Sequence, residues 1–117
     1  MVRVKINIGY LNLMLPSPIL HLIIVFMHGW GATTPVFYRA WIDHIVRKGN
    51  IVIYPRYQKD ITTPSDNFTP NSIRAVKNAI KELQTGNHVI PQQDKFAIVG
   101  HSVGGLISIN LASLCSF

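Results

Sequence analysis

Three unbroken apolar runs, separated by segments with helical spacing, organise this chain. Residues 22–27 (LIIVFM), 51–54 (IVIY) and 95–99 (KFAIV) are rich in β-branched and aromatic residues and do not alternate with polar ones. Strands covered on both faces read this way. Residues 2–8 alternate instead (Val2, Val4, Ile6, Ile8), which predicts a half-exposed strand, and residues 12–18 read as a turn or a ragged second strand. Between the first two runs, Thr34-Pro35 supplies an N-cap and a first-turn proline. Phe37, Trp41 and Ile45, with Ile42 on the flank, fall on one side of a helix that Gly49 closes. Residues 56–68 form a polar loop. Thr69-Pro70 then opens a second helix, with Ile73, Val76, Ile80 and Leu83 on one face and Gly86 as its stop. The last run passes through Gly100-His101-Ser102-Val103-Gly104-Gly105 into a third, apolar helix. Strands alternating with helices predict right-handed crossovers and a mainly parallel sheet with helices on both faces, a three-layer α/β/α sandwich.

No repeat or linker divides the 117 residues, which make one domain at most. Hydrophobic residues are 48% and charged residues 14%, more apolar than a free-standing domain of this size should be, so a covering layer is expected to be missing. Eleven Lys and Arg against five Asp and Glu give a net charge of +6, but the positive residues are scattered and match no nucleic-acid motif. Nucleic acid is therefore not an expected partner. The lone Cys115 excludes an internal disulfide framework and reads as a small apolar helix residue. The apolar stretch at 11–27 is interrupted by Asn12, Pro16, Ser17, Pro18 and His21, and no small-x-small site follows. That argues against a signal peptide and a stable membrane span, and favours a cytoplasmic setting.

The chemistry concentrates at two Gly-containing turns. Gly100-x-Ser102-x-Gly104, between an apolar strand and a helix, has the form of a nucleophile elbow. A serine in such a turn is held in strained torsions with its hydroxyl above the sheet edge, and its glycines sit where a side chain would collide with neighbouring backbone. The following helix points its first amides at any oxyanion that develops, which makes Val103 N–H one donor. A second is needed. His28-Gly29-Trp30-Gly31 follows the first apolar run: Gly29 permits close approach, Trp30 N–H is the candidate donor, and the Trp30 ring makes an apolar wall. His28 reads as a brace for that loop, and His101 as a packing residue beneath the turn. The competing reading is a Gly-rich turn in another doubly wound fold, such as a small nucleotide-binding domain. Neither phosphate-loop pattern is present. The histidines are too dispersed for a metal site, and no cofactor is implied.

With F-M-H-G-W-G at residues 26–31, V-I-Y-P-R at 52–56 and V-G-H-S-V-G-G at 99–105, the chain resembles the α/β-hydrolase superfamily, and in particular bacterial esterases, lipases and cutinase-like or dienelactone-hydrolase-like members. The likeness covers residues 20–117. It implies a partial α/β-hydrolase fold, ending after the nucleophile-elbow helix, in which the three apolar runs are the family's third, fourth and fifth strands and residues 1–18 a reduced version of the first two. It also implies a triad ordered Ser, Asp or Glu, His. Residues 103–117 contain none of the last three types. His21, His44 and His88 lie away from the position of the family's base, and Asp43, Asp60, Asp66, Glu82 and Asp94 all precede the serine and read as solvated. The expectation is therefore the N-terminal half of a single α/β-hydrolase domain. It belongs to a serine hydrolase that cleaves small-molecule carboxylic esters through an acyl-serine intermediate, with its triad incomplete here. The alternative is a catalytically inactive α/β-hydrolase-like binding module. Either way the strand at 95–99 should offer a free apolar edge and drive self-association.

Overall fold

The computed structural model of the protein describes residues 2–5, 20–85 and 90–114. In chain order these form β1 (Val2–Lys5), β2 (Leu20–Met27), a 3₁₀ turn (Pro35–Tyr38) leading into α1 (Arg39–Arg47), β3 (Ile51–Pro55), a short 3₁₀ turn (Ser65–Asn67), α2 (Phe68–Leu83), β4 (Ile90–Gly100) and α3 (Val103–Leu114). The expected turn at 12–18, the helix stop at Gly86, His88 and Cys115 lie outside the described residues.

The sheet order is β1-β3-β2-β4, with β1 antiparallel to β3 and the remaining pairs parallel. The path from β2 steps one way to β3 and then back across to β4. The strand order thus reverses at β2, and the carboxyl ends of β2 and β4 open side by side, the usual position for a ligand crevice in such sheets. Alternation along β2 explains the three layers. Ile23, Val25 and Met27 point to one face, where they meet Val76, Ala79 and Leu83 of α2 and Ile107 and Leu111 of α3. Ile24 and Phe26 point to the other, against Ile42 and Val46 of α1. Both faces are dry, so the strand can be apolar at every position.

Five expectations need correction. The buried stripe of α1 is Ile42 and Val46, whereas Phe37 and Trp41 are exposed. Residues 35–38 wind as a 3₁₀ turn at three residues per turn, which breaks the helical phase between Phe37 and α1. Thr34 stands extended before this turn and makes no side-chain capping bond. The second helix begins at Phe68, one residue before the proposed cap, because the Phe68 ring buries against Tyr57. The polar loop is not wholly polar in its packing: Tyr57 and Gln58 are fully buried. Finally, β4 is longer than its apolar run. It reaches back to Ile90 across an irregularity between the Leu22↔Gln92 and Ile23↔Phe96 pairs, and Phe96 to Val99 are half-buried because β4 pairs with β2 alone among the described strands.

Besides that free edge, α3 leaves Leu106, Ile109 and Leu114 exposed. An unpaired parallel edge with uncovered apolar surface favours association over solvation. At micromolar concentration the 117-residue chain is expected to sediment as oligomers. A monodisperse monomer with a cooperative melt would contradict this.

Candidate active site

β4 ends at Gly100, and α3 begins at Val103, so His101 and Ser102 make the whole turn. Ser102 has φ +55°, the single non-glycine in the left-handed region among the described residues, and it is exposed. Such a backbone is strained and persists only where neighbours over-determine it. Here they do. His101 N–H donates to the Met27 carbonyl at 3.1 Å, extending the β2–β4 ladder, while Gly104 N–H and Gly105 N–H donate to the His101 and Ser102 carbonyls at 2.9 Å each. A Cβ at Gly100 would lie 2.5 Å from Ser108 Oγ and closer still to the Gly104 carbonyl. One at Gly104 would lie 2.5 Å from the His28 carbonyl and collide with that of Met27. Both glycines of the motif are thus required by contact, and the elbow is fixed directly to the end of β2.

The loop after β2 is held as firmly. His28 is fully buried, stacked on Tyr57 at 4.1 Å and on Tyr54 at 5.2 Å, and its Nδ1–H donates to the Gly29 carbonyl at 2.7 Å. Tyr57 hydroxyl donates to the His28 carbonyl at 2.6 Å. His28 is thus held between the loop's own backbone and two tyrosine rings. Burial holds its pKa below the ordinary 6.5; the Gly29 carbonyl opposes the shift and Arg56 adds to it. Burial likewise pushes the Tyr54 and Tyr57 hydroxyls well above the usual range, so both remain neutral donors. Because the folded chain disfavours the charged imidazole, the unfolded chain takes up that proton first as pH falls. The contribution of His28 to stability is complete above pH 6.5 and is lost as pH drops toward the folded-state value. The His28 ring resonances are expected to remain those of a neutral imidazole at pH 6.5. Half-titration there in an NMR series would contradict this.

Beyond His28, Gly29 N–H donates to Tyr38 hydroxyl and Gly31 N–H to Gln58 Oε1, both at 2.8 Å. Ala32 N–H and Thr33 N–H close the turn on the Gly29 and Gly31 carbonyls. The Trp30 amide takes no part in this set, and its ring stands 59% exposed. Val103, as the first residue of α3, has an amide with no partner one turn back. Gly29 permits close approach: a Cβ on it would lie 3.1 Å from Tyr38 hydroxyl and from His101 Nδ1, and 3.5 Å from Ser102 Cβ. The two turns thus face each other across an open groove of about 670 Å³, lined by Gly29, Trp30, Phe37, Tyr38, His101 and Ser102 among others.

His101 is not packed beneath the turn. Residues 97, 99 and 101 share the α1 side of β4, so its ring stands exposed in the groove wall, edge-on to Tyr38, with Nδ1 2.8 Å from the Tyr38 hydroxyl. Among the described residues, the other histidines and the carboxylates do not line this groove. His21 Nδ1–H donates to the Gly49 carbonyl at the far end of β2, and His44 is exposed on α1. Asp60, Asp66, Glu82 and Asp94 are exposed, and Asp43 pairs with Arg39 at 3.7 Å. Sequence reasoning passed over Tyr38 and Gln58. A polar residue in a loop between strand and helix carries no sign of burial, and Tyr38 reads as one more aromatic of α1.

No helix among the described residues is long and apolar enough to cross a membrane. No curated protein and no solved structure matches the chain. The family model described as chlorophyllase does, over residues 15–115, which include every element from β2 onward and both turns of the groove. The chain belongs to the chlorophyllase family, an α/β-hydrolase-type family of ester hydrolases.

Proposed function

We propose that Ser102 is the nucleophile of a carboxylic-ester hydrolase that works through an acyl-serine intermediate. Ser102 Oγ attacks the ester carbonyl, the amides of Trp30 and Val103 receive the oxyanion, the alcohol leaves, and water releases the acid. The observation that carries this reading is the left-handed, exposed Ser102 set by contact against the Gly29 loop. A strained serine between strand and helix has no packing role that a glycine would not fill at lower cost. Among the described residues no carboxylate lines the groove, and His101, the histidine that does, is engaged through Nδ1 with the Tyr38 hydroxyl. The bond of His28 to the Gly29 carbonyl and its full burial argue against it as the general base.

The family's name makes chlorophyll the first substrate to try, and the exposed Trp30 and Phe37 rings beside Ser102 suit an apolar ester. The test is labelling of the full-length gene product by a fluorophosphonate, with the modified peptide identified by mass spectrometry. Modification at Ser102 is expected. An unlabelled protein that still binds the ester would favour the inactive binding module.

A further inference from the structure

We infer that Tyr38 and Gln58 are positioning residues that together aim the Trp30 amide at the oxyanion. The inference rests on the proposed role of Ser102 and Trp30 and extends it. Three consecutive amides follow His28. The outer two are taken by side chains from different parts of the fold: Gly29 N–H by Tyr38, at the end of the 3₁₀ turn before α1, and Gly31 N–H by Gln58, in the loop after β3. With its neighbours fixed on either side, the plane of the central amide has little freedom left. Gly31 at φ +75° sits just past the second anchored amide, in the turn that Ala32 N–H closes on the Gly29 carbonyl.

Both anchors are rigid. The Tyr38 ring packs on Phe26 at 4.9 Å, and Gln58 is fully buried next to Tyr57, whose hydroxyl holds the His28 carbonyl. Tyr38 has a second connection. Its hydroxyl, which accepts from Gly29 N–H, also shares a hydrogen bond with Nδ1 of His101, the residue before Ser102. One oxygen thus registers the donor loop against the nucleophile's own turn. Such preorganisation matters because a donor contributes fully to catalysis only if it need not reorient as charge develops.

The experiment measures fluorophosphonate modification of the full-length gene product as a function of probe concentration, normalised to the folded fraction by circular dichroism. Tyr38→Phe and Gln58→Met are expected to lower the limiting rate ~10- to 100-fold while the half-saturating probe concentration changes little. Gln58→Glu, which keeps an acceptor oxygen for Gly31 N–H, should recover most of the rate. Tyr38→Phe and Gln58→Met reacting at the wild-type limiting rate would overturn the inference. So would a deficit accounted for by lost folding, which would make these residues structural only. Wild-type protein that labels no better than Ser102→Ala would instead sink the nucleophile reading on which the inference rests.

Discussion

Replacing Ser102 by glycine is expected to abolish covalent labelling while raising the melting temperature of the protein. The two effects have one cause. At φ +55° an L-residue brings its Cβ against the following carbonyl, which costs on the order of 1–2 kcal/mol that glycine escapes. Glycine loses more backbone entropy on folding, about 0.5–1 kcal/mol relative to alanine, so the net gain is of order 1 kcal/mol or less. That corresponds to a few degrees in a domain of about 100 residues. Chemically, removing the nucleophile of a serine hydrolase costs on the order of 10⁶ in rate where it has been measured, so labelling should fall below detection. Ser102→Ala separates the terms: it loses the nucleophile but keeps the strain, so labelling vanishes without a gain in stability. The decisive comparison is the melting temperature of glycine and alanine variants that are equally unlabelled. Equal melting temperatures would mean that the turn is not strained, and retained labelling in either variant would place the nucleophile elsewhere.

The layered fold was legible because it follows from burial alone. The runs at 22–27 and 51–54 have no polar position because each strand meets helices on both faces, and the spacing of Val76 and Leu83 reports a contact with only one layer. The two turns of the site were legible because glycine at 29, 100 and 104 answers a local need, backbone approach, that no other residue meets. What the sequence left open depends on contacts distant along the chain. Tyr38 and His101 lie 63 positions apart and meet only because β2 and β4 are neighbours, and Gln58 reaches Gly31 across 27 positions. The orientation of His101 was misjudged because the ladder with Met27 continues past the formal end of β4, which carries the strand's alternation one residue further. The motifs alone identified the superfamily and suggested esterase-, lipase- and cutinase-like relatives. The chlorophyllase assignment came from a match over residues 15–115 as a whole.

The strongest expected effect on folding comes from one methyl group at Gly104, with Gly105 as its control. Both glycines lie in the first turn of α3, so alanine at either should gain about the same helix propensity, up to ~1 kcal/mol. Their surroundings differ. A Cβ at Gly105 has the Gly100 carbonyl 3.9 Å away, ordinary contact, and this variant is expected to be neutral or slightly stabilised. A Cβ at Gly104 meets the carbonyls of Met27 and His28. These are backbone atoms at the end of the central strand, with no rotamer to change. Relief requires α3 to lift off β2, against the packing of Ile107 and Leu111 and the His101–Met27 hydrogen bond. Overpacking of a core side chain typically costs about 1–3 kcal/mol, and a clash of backbone with backbone belongs at the upper end, ~3 kcal/mol. The urea midpoint of Gly104→Ala should therefore fall well below that of the wild type, while that of Gly105→Ala stays level with it or rises slightly. The folded fraction of Gly104→Ala should also label slowly, by roughly 10²-fold, because lifting α3 separates Ser102 from the Gly29–Trp30 loop and an error near 1 Å at a reacting centre has that effect. If Gly104→Ala matches Gly105→Ala in both midpoint and labelling rate, the close approach of elbow and loop is wrong, and with it the geometric case for Ser102 as the proposed nucleophile.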